Sequence, residues 1–280
     1  MLSRSYRPTL PLADFVEDLW FYDDYRPTHL MERILPSGTI ELVINLRDDE
    51  LRIYDRLHPG SCERFSGAIV SGTYARFFVI DTLQETSLLG VHFKPGGAFP
   101  FFGLPVSELV DTHVDLETLW GPSARAVRDR LRAVTGPVAK FRIVEAALLE
   151  RLPTSPRHHE AVRFALDRFR GSTPTNVRNV SDHIGLSQRR FIEVFTSEVG
   201  LTPKLFNRVQ RFHRVLERVR QTTAPDWSRL ALDCGFFDQS HLIRDFVGFS
   251  GFTPAAFARH RQSLERVGIH LKRHHIPLVE

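Results

Sequence analysis

From Trp20 to Phe93 the apolar residues come in short runs that alternate with polar ones, separated by turn residues. A period of two is the pattern of strands with two different faces. Thr39 to Asn45 alternates and is β-branched, with the turn signal Pro36-Ser-Gly38 before it; Tyr74 to Asp81 and Ser87 to Phe93 repeat the pattern. Pro95-Gly-Gly97 stops the strands, and an aromatic stretch, Phe99-Pro-Phe-Phe-Gly103, comes next. After Trp120-Gly-Pro122 the period becomes helical. Val127, Leu131 and Val134 fall on one stripe, and Phe141, Val144, Leu148 and Leu152 on another, with Gly136-Pro137 between them. Pro153 and Pro156 bracket a linker, and the chain beyond it reads as helix with short breaks.

The helical part repeats itself. Phe195 and Phe246 stand 51 positions apart, as do Gly200 and Gly251, Thr202 and Thr253, Pro203 and Pro254, and Phe206 and Phe257. Further upstream the offset is 50, pairing Val180 with Leu230, Ser181 with Ala231, and Gly185 with Gly235. Two copies of one supersecondary unit account for this. In each copy a short helix ends at a small residue, Ser181 or Ala231, and a glycine four residues on can supply the positive φ of a sharp turn. A second helix then begins at a capping residue, Ser187 or Asp238. Its apolar stripe is Phe191, Val194 and Phe195 in the first copy, and Leu242 and Phe246 in the second. Between the copies, Lys204 to Gln221 predicts a long amphipathic helix with Leu205, Phe206, Val209, Phe212, Leu216 and Val219 on one face. Arg208, Arg211, Arg214, Arg218 and Arg220 also lie along it, mostly solvated on this reading, with one or two reaching phosphate.

The expected fold class is therefore α+β: a β-rich N-terminal domain, then an all-α domain with two helix-turn-helix units joined by a long helix. The expected division is a β-rich sensor domain at 1–120, a helical connection at 121–155, the helical domain at 156–264 and a tail at 265–280. Charge matches this division. Residues 157–280 hold 20 Lys and Arg against 12 Asp and Glu, whereas 1–156 hold 17 against 21. A basic module carried on an acidic one suits a polyanion partner. Two cysteines, Cys62 and Cys234, cannot build a disulfide framework or a zinc knuckle. Asp14, Glu17 and Asp18 interrupt any secretory core, and no apolar run approaches the roughly 20 residues of a membrane span. A cytoplasmic protein with no membrane partner is expected.

At this point the residues resemble a family. Ile184-Gly-Leu-Ser-Gln-Arg-Arg-Phe-Ile-Glu-Val-Phe195 with Gly200-Leu-Thr-Pro203 resembles the first helix-turn-helix of AraC-type regulators. Cys234-Gly-Phe-Phe-Asp-Gln-Ser-His-Leu-Ile-Arg-Asp-Phe246 with Gly251-Phe-Thr-Pro254 and Phe257 resembles the second, which carries the family signature. The resemblance runs from near Arg157 to near Arg261. It implies a seven-helix domain that binds duplex DNA without metal or cofactor. It places base contacts on Gln188, Arg189 and Glu193, and on Gln239, Ser240, Ile243 and Arg244. Ser181 departs from the usual alanine. Leu35 to Asn45 and Gly90 to Gly103 resemble, more loosely, a sensor region of some members. The partners to expect are a double-stranded DNA operator and a small-molecule effector, with room for RNA polymerase and for a second copy of the chain in a homodimer.

Candidate ligand contacts in the N-terminal half are His92, in a strand before a glycine-rich turn, and Phe99, Phe101 and Phe102. These three aromatics can either line an apolar pocket or pack the end of the strands against the following helices, the second being favoured. Lys94-Pro-Gly-Gly97 lacks the spacing of a phosphate-binding loop and reads as a tight turn. His158-His159 and His274-His275 read as solvated rather than metal-binding, because adjacent histidines in a helix cannot face one ion. Cys234, between Ala231 and Gly235, reads as a buried inert thiol. An enzyme is not expected, since residues 1–156 show no nucleophile elbow, metal cluster or carboxylate pair in a catalytic context. The alternative to a sensor is a domain that serves only protein interaction or dimerisation.

Overall fold

The computed structural model describes residues 2–58, 60–154, 158–171, 177–222, 225–267 and 274–278. Eleven strands form two antiparallel sheets among these residues. The first has the order β1 (Leu2–Tyr6), β2 (Val16–Asp23), β9 (Ser87–Phe93), β4 (Glu41–Asn45), β7 (Ala68–Ser71), β10 (His113–Asp115). The second has the order β11 (His275–Leu278), β3 (Met31–Ile34), β8 (Phe78–Asp81), β5 (Glu50–Tyr54), β6 (Cys62–Ser66).

The period-two pattern explains the layering. In the first sheet Leu19, Phe21, Leu42, Ile44, Val70, Leu89 and Val91 all point to one side. There they join a core with α1 (Phe99–Phe102), α2 (Leu116–Trp120), α3 (Pro122–Ala133) and α4 (Pro137–Leu149). Their neighbours Trp20, Tyr22, Glu41, Val43, Ile69, Leu88 and His92 line an internal cavity on the other side. Ile34, Ile53, Phe78 and Ile80 of the second sheet line the same cavity. The opposite face of that sheet, through Val79 and Ile276, belongs to the core of the C-terminal helices, as does Phe77 just before β8. Each sheet thus has a helical side and a cavity side.

Thr39 to Asn45 and Ser87 to Phe93 are strands as expected, the first beginning at Glu41; the run Tyr74 to Asp81 pairs only from Phe78. The segment 72–77 is instead the crossover that carries the chain from the first sheet to the second. His275–Leu278, at the end of the chain, pairs with Met31–Ile34 near its start.

The C-terminal part contains seven described helices: α5 (Glu160–Arg170), α6 (Val177–Ser181), α7 (Gln188–Val199), α8 (Pro203–Arg220), α9 (Trp227–Asp233), α10 (Gln239–Ser250) and α11 (Pro254–Arg266). The 18 residues of α8 make a rod of about 27 Å at about 1.5 Å per residue. Phe206, Val209, Phe212, Leu216 and Val219 are buried as the pattern predicts. Phe212 packs edge-on to Phe246, and Phe206 to Phe195, so one rod supports both units.

Candidate nucleic-acid interface and internal cavity

The two copies fold alike down to their caps. Ser187 Oγ accepts from the Arg190 amide at 3.3 Å, and Asp238 Oδ1 accepts from that of His241 at 2.7 Å. These bonds occupy orphan donors of the first turns of α7 and α10. Gly185 and Gly235 have φ of +69° and +84°, the left-handed region that the sharp turns require. Thr202 and Thr253 cap the helices that leave each unit, accepting from Leu205 and Ala256 amides at 3.3 and 3.2 Å.

On α7, Gln188, Arg189 and Glu193 are exposed while Phe191 and Phe195 are buried. Arg189 Nε donates to Glu193 Oε1 at 3.0 Å, so two of the candidate residues are paired with each other. Arg189 and Arg190 hold the Glu193 carboxyl below its usual range through these bonds. On α10, Ser240 and Arg244 are exposed, Gln239 accepts from Ser228 Oγ at 3.0 Å, and Ile243 is half-buried against the core. The structure therefore brings the predicted residues to two helix faces, with Ile243 at the edge of its face. Phe237, beside the cap of α10, is 85% exposed and was not predicted; only its twin Phe236 turns inward. Two adjacent phenylalanines at a turn leave no way to tell from sequence which one is buried.

The arginines of α8 differ from expectation. Arg208 donates to the buried carboxylate of Asp245 through Nε and NH2, at 3.2 and 2.7 Å. Arg211 donates to the Gly235 carbonyl at 3.1 Å and stacks over Phe236. Arg214 donates to the carbonyls of Phe169 and Gly171 at 2.7 and 3.1 Å. All three brace the units, although Arg208 keeps part of its side chain in solvent, and Arg218 is exposed as expected. Burial, the largest influence on both, lowers the pKa of Arg211 and Arg214 from the usual arginine value.

The cavity, of about 530 Å³, is walled by both sheets and closed on one side by α8, which contributes Gln210, His213, Leu216, Glu217 and Arg220. Its wall is mainly apolar, with a polar group centred on His92. The register places Asp18 and Glu41 opposite His92 on the two neighbouring strands. His92 Nδ1 lies 2.6 Å from Asp18 and Nε2 lies 2.8 Å from Glu41. With acceptor-only carboxylates on both nitrogens, the ring carries both protons. Burial opposes that charge, but the carboxylates outweigh it and push the His92 pKa up to about 10. Burial likewise opposes charge on Glu41; His92 outweighs it and holds the carboxyl below its usual value, and Trp20 Nε1 donates to it at 2.9 Å. Deeper in, Tyr74 Oη and His113 Nδ1 lie 2.5 Å apart, and burial drives His113 down to about 3, so this imidazole is neutral.

His92 is therefore a cavity residue, whereas Phe99, Phe101 and Phe102 are not. Phe101 and Phe102 are buried between the first sheet and its helices, tilted and edge-on to Phe93, and Phe99 packs on the ring of His158. The aromatic stretch leaves the strand end on the helical side, where Phe101 and Phe102 join the core instead of the cavity wall. Lys94 to Gly97 is a tight turn, closed by the Gly97 amide on the Lys94 carbonyl at 2.7 Å. Cys234 is buried, and burial raises its pKa.

Nor are the histidine pairs simply solvated. His158 Nδ1 lies 2.9 Å from Glu198, and the His159 side chain caps α5. His275 Nδ1 lies 2.5 Å from Glu32, close to Glu85 as well; these three bring ligand-type atoms within 4.8 Å of one another. Ligands of a tetrahedral zinc ion sit about 3.3 Å apart, from bond lengths of about 2.0–2.1 Å. The direct contact is thus a hydrogen bond, one that fastens β11 to β3.

Two capped helix-turn-helix units on one rigid rod, with exposed polar faces on a basic module, define a DNA-binding transcription regulator. Residues 180–260 match the model of a helix-turn-helix domain, and residues 4–115 match a domain of unknown function. No curated protein matches the chain by sequence. Among solved structures it is similar to ToxT of Vibrio cholerae strain SCE256 with an unsaturated fatty acid bound, at 7% identity and TM-score 0.43, over 91% of this chain and 96% of that one. It is also similar to ToxT of Vibrio cholerae O395 bound to (E)-4-(8-methylnaphthalen-1-yl)but-3-enoic acid, at 8% identity and TM-score 0.43, over 92% and 98%. Among the described residues no helix is long and apolar enough to cross a membrane.

Proposed function

We propose that α7 and α10 enter successive major-groove segments of one DNA duplex, and that a small molecule in the N-terminal cavity controls how they engage it. Gln188, Arg189 and Glu193 read one element; Gln239, Ser240, Ile243 and Arg244 read the other. Arg189 and Arg244 are suited to the two acceptors of a guanine edge, and Glu193 to a cytosine amino group. Arg189 must first leave Glu193, an exposed pairing that costs little to break.

The observation that carries the effector reading is the position of α8. It is the rod between the two units, and its residues Gln210, His213, Leu216, Glu217 and Arg220 form part of the cavity wall. An occupant therefore touches the element that sets the relation between the readers. The volume, about 530 Å³, lies in the range of small-molecule sites. A wall of Trp20, Val43, Leu51, Ile53 and Leu88 beside the His92 group suits a mostly apolar molecule with one polar end.

Selection from a random duplex pool with the full chain tests the reading. Enrichment of two short elements whose centres lie about one helical turn apart, about 10 base pairs, is expected. A selected pool indistinguishable from the input refutes it. Val43→Trp, which intrudes into the cavity, is expected to weaken any change in operator affinity caused by an added small molecule while leaving both elements recognised.

A further inference from the structure

Both reading helices end at a glycine of the repeat, and both glycines press on the N-terminal domain. Gly200, with φ +89°, comes after α7; a Cβ there would lie 2.3 Å from Thr73 Oγ1 and 3.2 Å from Val106 Cγ1. Gly251, with φ +73°, comes after α10; a Cβ there would lie 2.7 Å from Phe77 Cε1 and 3.0 Å from Arg33 NH1. The glycines are equivalent positions of the two copies, whereas Thr73 and Phe77 are two ends of one crossover. Arg33 strengthens the second contact. Its guanidinium donates to the Ser250 carbonyl at 3.2 Å, at the C-terminal end of α10, where a cation is favoured. It also lies between the rings of Phe77 and Phe252, 4.6 and 4.4 Å from their centroids.

From this geometry we infer that Thr73, Phe77 and Arg33 are positioning residues for DNA reading: they fix the placement of α7 relative to α10, and so the spacing of the two DNA elements. The inference rests on the proposed reading by α7 and α10. The crossover is itself held firmly. The Asp111 amide donates to the Thr73 carbonyl at 3.1 Å, the Ala75 amide donates to Asp111 Oδ1 at 2.8 Å, and a Cβ on Gly72 would lie 1.5 Å from the Leu109 carbonyl oxygen. A rod fixed at one point leaves its two ends free to swing. A rod whose two units are each pinned to one firmly held crossover does not. Tyr74, between the two pins, lines the cavity, so the crossover that sets the spacing also meets the effector.

The test uses the full chain as wild type, Arg33→Gln and Phe77→Ala, with duplexes carrying the two selected elements at their selected spacing and at one base pair more or less. Circular dichroism establishes that each variant is folded, and Arg33→Gln, which removes no core side chain, keeps the test open if Phe77→Ala unfolds. Linking two binding modules rigidly rewards one separation and penalises others. Wild type is expected to favour its own spacing by about tenfold, and the variants by about twofold or less, with both element sequences still required. A folded Arg33→Gln protein that keeps the wild-type spacing ratio overturns the inference and leaves the reading intact. A wild-type protein that requires neither element overturns the reading, and this inference with it.

Discussion

Removing the carboxylate of Asp245 should destabilise the helical domain more than any other single change on the polar side of α10. Asp245 is only 4% exposed. Arg208 reaches it through two nitrogens, the closest contact being 2.7 Å, and Arg211 approaches at 3.7 Å. A hydrogen-bonded charge pair contributes about 1.5–3 kcal/mol, and breaking a buried pair costs about 3–5 kcal/mol because one charge is stranded. Arg208 keeps 39% of its side chain in solvent, so its share is screened toward the low end. Arg211, 17% exposed, is the group left with an uncompensated charge in Asp245→Ala. We therefore expect Asp245→Ala to cost about 3 kcal/mol, and Arg208→Ala about 2 kcal/mol. A double-mutant cycle followed by urea unfolding isolates the pair, with an expected coupling of about 1.5–2 kcal/mol. A coupling below about 0.5 kcal/mol would refute the bracing role of Arg208 and return this arginine to the solvated class.

Arg189→Ala and Arg244→Ala should each cost about 1–3 kcal/mol on the selected operator and relax preference at one base position, measured on a panel of single-base variants. Equal weakening on every sequence would mean that these arginines hold phosphate. Phe101→Ala should destabilise the N-terminal domain by about 3–5 kcal/mol through the void it leaves, while the folded fraction keeps its operator preference. A loss of preference would contradict the packing role. His92, raised to about 10 from an ordinary value of 6.5, contributes stability that is complete below about pH 6.5 and lost as pH rises through about 10. Glu41, held low, contributes above its ordinary range and loses this as pH falls through its folded value. His113, kept neutral down to about 3, costs stability as pH falls from about 6.5. Unfolding free energy measured against pH should therefore fall on the alkaline side, and His92→Gln should lessen that fall, leaving the part owed to Cys234, whose raised pKa also loses stability as pH rises above the ordinary thiol value.

The helical part was legible because its information is local. Glycine at a positive-φ turn, a cap at Ser187 or Asp238, and a stripe at helical spacing each depend on residues a few positions apart, and the repeat states each twice. That spacing separates the polar faces of α7 and α10 from their buried stripes, and the proposed base contacts on those faces come from the family resemblance. The arginines of α8 were misread because charge alone does not distinguish a solvated guanidinium from one aimed at Asp245, 37 residues away. In the N-terminal half the alternation gave β4 and β9, but the cavity group depends on register. Asp18, Glu41 and His92 come together only when three strands from distant parts of the sequence are aligned. Phe99 to Phe102 were ambiguous for a related reason: both faces of the first sheet are apolar enough to accept them. His275 could not be placed at all, since its partner Glu32 lies 243 residues earlier.

The central claim is that two units read one duplex, and affinity on scrambled operators tests it most directly. The full chain would be titrated against the selected duplex, against duplexes with either element scrambled, and against one with both scrambled, all at one salt concentration. Scrambling either element alone should weaken binding at least about tenfold, and scrambling both should leave only the salt-dependent, sequence-independent affinity of a basic module. If scrambling the element assigned to α7, or that assigned to α10, left the affinity unchanged, only one unit would be reading DNA and the account would be wrong.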